Sequence, residues 1–291
     1  MHFLKYFTVI LMALTLLTGC EEDIELSLKG DKPRLVVDGV ITTDTMVHKV
    51  KLSLSGNYFD NQPMPRVSGA LVTLSDGDET FVLQESEAAP GEYLTSDTFF
   101  GKQNTLYSLE IRNVDVNGDG QEEVYTSQSY LNPIIETDSV SISFHRIWKL
   151  WQINLHAHDP AGIENYYLFK LYINGELYSD RYGKMSYTDD RFFDGSFADG
   201  VWIFALNSED EEENLVPGDV VTLETLMVEK TYYDFVHAAV DETGIKTPLF
   251  SGAPANVPSN ISNGALGQFA AYAISRFSVV NTFTAEEMKE K

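Results

Sequence analysis

The 291-residue sequence contains a single cysteine, Cys20, and this scarcity excludes several kinds of chemistry. One cysteine cannot form an intramolecular disulfide, so the fold must be held together by its hydrophobic core. The composition supplies that core, since 43% of the residues are hydrophobic. If Cys20 carries a lipid, as its surroundings predict, no thiol remains for nucleophilic catalysis or for binding a soft metal.

Basic residues are also scarce. Lys and Arg together number 20, against 44 Asp and Glu, which gives a formal net charge of −24. The 20 basic residues form no stripe or cluster along the sequence. A field of this sign repels nucleic acid and anionic lipid, so the sequence predicts no nucleic-acid partner.

The common signatures of catalysis are missing as well. The sequence has no G-x-S-x-G elbow, no Walker loop and no dinucleotide-binding fingerprint. Carboxylates are abundant, but nothing in the sequence selects a pair of them for glycoside hydrolysis. We therefore predict a protein that is not an enzyme and needs no cofactor. A metal-dependent hydrolase is kept as the third hypothesis for its function.

The first 19 residues have the pattern of an export signal. Lys5 provides the positive charge, and an apolar run follows at 7–17, which is too short to span roughly 30 Å of hydrocarbon. The run ends in Leu-Thr-Gly-Cys at 17–20, which resembles the lipobox of lipoprotein precursors. The alternatives are an ordinary secretory signal and a buried helix that ends in cysteine. Because the only cysteine stands at the lipobox position, we predict a signal peptide at 1–19 and lipid attachment at Cys20.

An acidic segment at 20–32 follows the predicted lipid site. Glu21, Glu22, Asp23 and Glu25 form an acidic cluster directly after Cys20. The cluster resembles the acidic tag that sends lipoproteins to the outer face of the outer membrane, although a solvated tether in an acidic protein would have the same composition. The sequence predicts a chain anchored in the outer membrane and facing the cell exterior.

Residues 33–134 have the pattern of short strands separated by turns. Val50 and Leu52 alternate with Lys49 and Lys51, which is typical of an antiparallel strand with one buried face. The dipeptides Asp-Gly at 76–77 and Asn-Gly at 174–175 stand between apolar runs and predict hairpins. Short strands without an intervening helical period predict an N-terminal β-sandwich.

A second strand-rich part is predicted at 135–283, beyond a seam near Asn132-Pro133 where proline interrupts strand pairing. It contains one amphipathic helix at about 230–241, with Thr231 as its predicted cap. The residues on its apolar face are Tyr232, Phe235, Val236 and Ala239. The tail at 284–291 is predicted to be disordered. The predicted fold class is therefore mostly β, with two β-sandwich-like domains and one principal helix in the second.

One loop has the spacing of a calcium site. Asp115, Asn117 and Asp119 place oxygens at alternate positions, and Gly120 permits the sharp turn that such loops make. The twelfth position of a full calcium loop is Glu, but here it is Thr126, and strands flank the loop instead of helices. The alternative is a polar turn whose side chains serve backbone geometry. These three residues are the candidate metal ligands, and calcium is the candidate ion.

Two further sets of side chains are candidates for binding. His156 and His158 stand two apart on a predicted strand, which could begin a zinc site, or they lie on its solvated face. Trp148 and Trp151 could form a platform on which sugar rings stack, or they could be core and rim aromatics. A glycan- or matrix-binding adhesin is accordingly the second hypothesis for the function.

The order of these features resembles domain-of-unknown-function family 4249, outer-membrane lipoproteins often encoded beside TonB-dependent receptors. The segments that carry the resemblance are LVVDG at 35–39, VSGALVTL at 67–74, GEY at 91–93, GIENYY at 162–167, YYD at 232–234 and NISNGALGQF at 260–269. The resemblance implies two β-sandwich-like parts and a partnership with a TonB-dependent transporter. It carries no catalytic residues across. The first hypothesis is thus a surface-exposed lipoprotein that captures a ligand for such a transporter or covers it.

Overall fold

The computed structural model describes residues 32–56, 63–135, 137–243 and 257–284. The predicted signal peptide at 1–19 and Cys20 with its acidic tether up to 31 lie outside the described residues. The predicted disordered tail lies outside them as well, except for Thr284. The predictions made for those segments stay predictions.

The described residues form sixteen strands, one α-helix and one short 3-10 helix, so the prediction of a mostly-β fold with one principal helix is confirmed. The strands are β1 Leu35–Thr42, β2 Lys49–Leu54, β3 Leu71–Ser75, β4 Thr80–Val82, β5 Gln84–Glu85, β6 Glu92–Leu94, β7 Thr105–Val114, β8 Glu123–Leu131, β9 Thr137–His145, β10 Leu150–His158, β11 Tyr166–Ile173, β12 Glu176–Leu177, β13 Ser186–Asp189, β14 Phe197–Asn207, β15 Val220–Val228 and β16 Leu266–Val280. The α-helix, α1, is Lys230–Thr243, and the 3-10 helix is Tyr182–Lys184.

The strands make three sheets. The largest has nine strands in the order β12-β11-β15-β16-β1-β2-β6-β5, with β13 also paired to β11. A four-stranded sheet has the order β4-β3-β7-β8, and a three-stranded sheet has the order β14-β10-β9. Strands β1 and β16 pair in parallel, with Val37 opposite Gly267. This pair joins strands from the beginning and the end of the chain in one sheet.

Side chains alternate between the two faces of a strand, and β16 shows what each face of the large sheet contacts. Phe269 and Ala271 pack into the core shared with the four-stranded sheet. Phe277, on the same side of the strand, packs into the core shared with the three-stranded sheet. Tyr272 and Ile274 point the other way and pack with helix α1. One face of the large sheet therefore carries two sandwich-like cores, and its opposite face carries the helix.

The division into domains at 33–134 and 135–283 stays a prediction. The predicted boundary falls in the connection between β8 and β9. The nine-stranded sheet takes strands from both segments. The sequence pattern of alternating residues located the individual strands, but it could not tell that the last strand would pair with the first.

Both predicted hairpins form at the predicted dipeptides. Strands β3 and β4 flank Asp76-Gly77, with Ser75 opposite Thr80. Strands β11 and β12 flank Asn174-Gly175, whose φ angles are +52° and +84°. Two consecutive positive φ angles define the turn whose twist suits a two-residue hairpin, and Asn-Gly is the dipeptide that adopts it at least cost.

The helix has the predicted apolar face but a different start. Val236 and Ala239 are buried against the sheet, as their spacing predicts. Thr231 was predicted to cap the helix, and this is wrong, because the helix already begins at Lys230. The carbonyl oxygen of Glu229 accepts a hydrogen bond from the backbone amide of Tyr233 at 3.0 Å. The first helical turn therefore begins before Thr231, which lies inside the helix and not at its cap position.

Candidate functional site

A groove of about 1350 Å³, here called the sheet groove, lies on the helix-bearing face of the nine-stranded sheet. Its floor is made by side chains of five strands, and its walls are the loop between β1 and β2, the segment around the 3-10 helix, and helix α1. The floor residues are Asp38, Val40, Thr42, Lys49, Lys51, Lys170, Tyr172, Glu224, Tyr272, Ile274 and Arg276.

The groove exists because helix α1 covers only part of this face. Where the helix packs, the sheet presents buried apolar side chains such as Leu226 and Ala270. Further along the same strands, the positions that share this face are occupied by Glu224 and Arg276, whose charged groups cannot be covered by an apolar helix face. The alternation of Lys49 and Lys51 with apolar residues in β2 was the sequence signal for this polar floor.

The charge of the sheet groove is opposite to that of the chain. Among the described residues, six Lys and Arg side chains line it, against four Asp and Glu side chains. The six basic residues are Lys49, Lys51, Lys170, Arg181, Lys184 and Arg276. They come from segments far apart in sequence, so no basic cluster is visible in the linear chain. The groove is therefore a local basic region on an acidic protein.

Arg276 is the centre of an ion-pair network on the groove floor. Its Nη1 and Nη2 atoms donate to the two carboxylate oxygens of Asp44 at 2.9 and 2.6 Å, and its Nε donates to Glu224 Oε2 at 2.8 Å. Lys170 Nζ lies 3.6 Å from the other oxygen of Glu224. The side chain of Glu224 is only 2% exposed, so its carboxylate is buried with Arg276 and Lys170 as its two cationic neighbours.

The hydrogen bonds of this network shift the pKa values of its members. The bond from Arg276 lowers the pKa of the Asp44 carboxyl below its ordinary value of 3.8. The same bond raises the pKa of the Arg276 guanidinium. When folding lowers the pKa of a carboxylate, that carboxylate stabilises the folded state at any pH above its unfolded pKa. The stabilisation is lost as the pH falls through the pKa that the carboxylate has in the folded protein. The Asp44–Arg276 pair is thus a stabilising contact at neutral pH.

We expect Arg276→Met to lower the free energy of unfolding at pH 7 by about 2–3 kcal/mol, because it leaves the buried Glu224 with Lys170 as its nearest cation. Urea denaturation measures the change. The matched control is Arg112→Met, which removes an exposed pair with Glu110 and should cost at most about 1 kcal/mol. The difference between Arg276→Met and the wild type should shrink as the pH falls from 3.8, the ordinary pKa of the Asp44 carboxyl, through the lower pKa that it has in the folded protein. Equal losses for the two variants would contradict a structural role for the network.

Tyrosine rings form the part of the groove next to the helix. Tyr232 and Tyr272 stack with their ring centroids 5.7 Å apart and an interplanar angle of 15°. Burial raises the pKa of both phenols, and it also raises the pKa of Tyr182 nearby. These hydroxyls are therefore protonated at neutral pH, and the groove offers apolar ring surface beside its basic side chains.

The candidate calcium loop forms a compact turn away from the groove. Asp115 Oδ1 accepts the backbone amides of Gly118 and Asp119, and its Oδ2 accepts that of Gly120. The side-chain oxygens of Asn117 and Asp119 each accept an amide two residues on. This is the arrangement of a polar turn, in which side chains satisfy backbone donors. Calcium binding by Asp115, Asn117 and Asp119 stays a prediction.

Because these oxygens already accept backbone amides, we expect calcium to shift the melting temperature of the protein no more than magnesium does at equal ionic strength. A calcium loop without the bidentate Glu would bind with a dissociation constant of around 10⁻⁴–10⁻³ M. At ten to a hundred times that concentration, binding would add about 1–3 kcal/mol to stability. Thermal melts with each ion measure the difference. A shift specific to calcium that Asp119→Ala abolishes would establish the site instead.

Three other carboxylates come together in the described part of the chain, and the sequence did not predict them. One oxygen each of Asp159, Asp190 and Asp194 lies within 4.8 Å of the others. Asp159 and Asp190 are buried, and burial, followed by the charge of Asp159, raises the pKa of Asp190. Oxygen atoms so placed could hold a hard cation such as calcium. The residues belong to two separate loops with no common spacing, so no sequence motif could have found them.

The histidine and tryptophan candidates do not form the sites considered for them. His156 is hydrogen-bonded to Ser141 and to Asp199 at 3.0 Å each, and no group of three metal-binding side chains in the described residues includes a histidine. Trp151 is fully buried in the second core, whereas Trp148 is 60% exposed. The two tryptophans therefore cannot form one platform, because one of them is a core residue.

The fold and the groove define a mostly-β protein with two sandwich-like cores on one shared sheet and an open, polar groove on the opposite face. The chain belongs to the family described as Domain of unknown function (DUF4249), whose model matches residues 21–278. The resemblance seen in the sequence is thereby confirmed. In the described residues, no helix is long and apolar enough to cross a membrane.

Comparisons with individual proteins add little to the family assignment. The sequence has no significant match among curated proteins. One solved structure with detectable similarity is described as "Structural insight into host cell surface retention of a 1.5-MDa bacterial ice-binding adhesin". It is 12% identical, with 88% of this chain and 70% of that chain covered and a TM-score of 0.23. At that TM-score, nothing about the function of this chain follows from the similarity.

Proposed function

We propose that this protein is a non-enzymatic, surface-exposed lipoprotein of the outer membrane that captures a ligand in the sheet groove as the partner of a TonB-dependent transporter. The observation that carries the proposal is the groove itself, a basic and tyrosine-lined channel on a chain with a net charge of −24. A local field opposite to the overall charge guides a complementary group to one place on the surface.

The size of the groove supports a large ligand or a segment of a partner protein. Typical pockets for small molecules have volumes of about 300–1,000 Å³. The sheet groove, at about 1350 Å³, exceeds that range. Its floor is the face of a sheet, whose shape accepts an extended chain more readily than a compact molecule. An acidic peptide or an extracellular loop of the transporter has the chemistry that fits.

The ion pairs on the floor support binding over catalysis. Asp44, Glu224 and Arg276 satisfy one another through hydrogen bonds, so neither carboxylate is poised as a free general base. On the walls, Arg181 is exposed and is in no ion pair with another described residue, so it is available to a ligand, whereas Lys184 lies 4.0 Å from Asp180. A lipid at Cys20 would hold this groove at the membrane surface, where a transporter is within reach of the tethered domain.

Isolation of the lipoprotein from membranes tests the partnership. We expect a β-barrel TonB-dependent receptor to copurify with the wild type. The groove variant Lys51→Glu/Arg181→Glu reverses two charges in the groove and should reduce the recovered receptor at least tenfold. The variant Arg112→Glu/Arg191→Glu reverses two exposed charges outside the groove and is the matched control. No receptor with the wild type, or equal loss with both variants, would refute the proposal.

A glycan- or matrix-binding adhesin is the second candidate, and one observation favours it. The exposed Trp148 lies beside Trp202, with the ring centroids 6.3 Å apart and an interplanar angle of 26°. Aromatic rings that remain accessible at a surface are suited to stacking on sugar rings. Binding of a polysaccharide by the protein, lost in Trp148→Ala and kept in the groove variant Lys51→Glu/Arg181→Glu, would favour this function over the first.

A further inference from the structure

A second cavity lies inside the C-terminal sandwich, on the face of the nine-stranded sheet opposite to the sheet groove. Its volume is about 380 Å³, and it is bounded by the three-stranded sheet on one side and by β11, β13 and β15 on the other. This volume falls within the range of about 300–1,000 Å³ for small-molecule pockets. We call this space the sandwich cavity.

The walls of the sandwich cavity are mostly apolar and aromatic. The side chains that define them are Leu155, Phe169, Phe193, Phe197, Trp202 and Ile203. Phe197 and Trp202 are 45% and 43% exposed although they also line the cavity, so its rim reaches the surface. Phe197 and Trp202 thus stand at the entrance of the cavity, where a ligand can enter from the surface.

One polar atom on the cavity wall has no partner. Thr225 faces the sandwich interior between Leu223 and Met227 and is only 5% exposed. Its hydroxyl oxygen Oγ1 makes no hydrogen bond with any described residue. A buried hydroxyl without a partner destabilises the folded protein, and native structures nearly always satisfy such groups. The Thr225 hydroxyl is therefore a polar position on the cavity wall that needs a hydrogen-bond partner, either a water molecule or a polar group of a bound molecule.

The charges around the cavity indicate which ligands it rejects. Among the described residues, no Lys or Arg lines it, whereas Asp159, Asp199 and His158 do. The hydroxyl of Tyr167 is already committed to Asp159, to which it donates at 2.5 Å. A carboxylate or sulfonate in this cavity would meet two acidic side chains, with no Lys or Arg to compensate its charge. The cavity therefore suits a molecule without negative charge.

We propose that the sandwich cavity binds an uncharged, largely apolar small molecule that carries one hydrogen-bonding group, which pairs with the hydroxyl of Thr225. The aromatic walls hold the body of the molecule, and the hydroxyl fixes its orientation. This site is separate from the sheet groove and does not depend on the function proposed for the groove.

Two fluorescent probes that differ by one charged group test the proposal on the folded protein. N-phenyl-1-naphthylamine is uncharged and has one N–H donor, while 1-anilinonaphthalene-8-sulfonate has the same ring system with an added sulfonate. We expect saturable, one-to-one binding of the uncharged probe and at least tenfold weaker binding of the sulfonate. Equal affinity for the two probes, or no binding of the uncharged one, would overturn the proposal.

Two variants locate the bound probe. Ala157→Leu adds bulk inside the cavity and should abolish binding, whereas Ala205→Leu adds the same bulk on an exposed face of the neighbouring strand and should leave it unchanged. Thr225→Val keeps the shape of the side chain and removes the hydroxyl, so it should not destabilise the free protein but should weaken binding of the N–H probe about fivefold. Full binding by Ala157→Leu would place the probe elsewhere. If Ala157→Leu does not fold, unchanged affinity in Thr225→Val decides against the proposal.

Discussion

Gly267→Ala is expected to lower the free energy of unfolding by more than about 4 kcal/mol, or to prevent folding altogether. Gly267 has a φ of +89°, and a Cβ atom built on it would lie 2.0 Å from the carbonyl oxygen of Val37. No side chain can rotate away from this clash, because both groups belong to the backbone of the paired strands β16 and β1. The backbones would have to separate at the junction that joins the two ends of the chain in one sheet.

Gly264→Ala is the matched control for that prediction. Gly264 has a similar φ of +72°, but a Cβ atom there would meet no other atom within 4 Å. This variant carries only the backbone strain of a left-handed residue, about 1–2 kcal/mol. Urea denaturation of both variants compares the two costs, with soluble yield as the measure if Gly267→Ala does not fold. Similar losses for the two glycines would show that strand contact is not what requires glycine at 267.

Cys20→Ser is expected to release the protein from membranes completely and to leave an unlipidated precursor. A covalent lipid contributes about 0.8 kcal/mol per buried CH₂ group, and serine at position 20 offers no thiol to carry it. Fractionation without detergent, followed by mass measurement of the protein, tests the prediction. It is the direct test of the lipobox reading, since the residues concerned lie outside the described structure.

The double variant Cys20→Ser/Ser27→Cys distinguishes the position of the cysteine from its mere presence. It restores one thiol seven residues further on, beyond the lipobox, and should stay unlipidated. Retention of the single Cys20→Ser variant in detergent-free membranes would mean that the chain is held by something other than a lipid at this cysteine.

The most specific segment of the family resemblance, at 260–269, has a clear structural reason. The side-chain amide of Asn260 donates to the carbonyl oxygen of Phe269 at 2.7 Å and its oxygen accepts the amide of Phe269 at 3.0 Å. Asn260 thus replaces a neighbouring strand at the start of β16, and Gly267 permits the close approach of β1. The sequence contains Asn260 and Gly267, but their roles depend on the pairing of β16 with β1, which only the structure shows.

The strands, the hairpins and the helix were predictable because their signals are local. Trp151, Ile153 and Leu155 alternate with polar residues, and all three are buried in the second core as that alternation requires. The Asn-Gly turn at 174–175 was predictable because few dipeptides tolerate two positive φ angles. The error at Thr231 was also local, since a cap depends on one residue and helix ends shift easily.

The candidate sites were not predictable in the same way. The sheet groove takes its basic side chains from β2, β11, β16 and the segment around the 3-10 helix. The acidic cluster joins Asp159 to Asp190 and Asp194, more than thirty residues away. The free hydroxyl of Thr225 is ordinary in sequence, because only the surrounding strands determine that no partner reaches it.

The sequence by itself determined the strand-rich class of the chain, the position of helix α1, its acidity and its family, because composition, residue alternation and motif order are properties of the linear chain. Only the tertiary structure decided that the last strand pairs in parallel with the first, that one face of their sheet carries two cores, and that a basic groove remains open on the other face. Those features depend on contacts between residues more than a hundred positions apart, such as Val37 with Gly267, and no local propensity specifies such a contact.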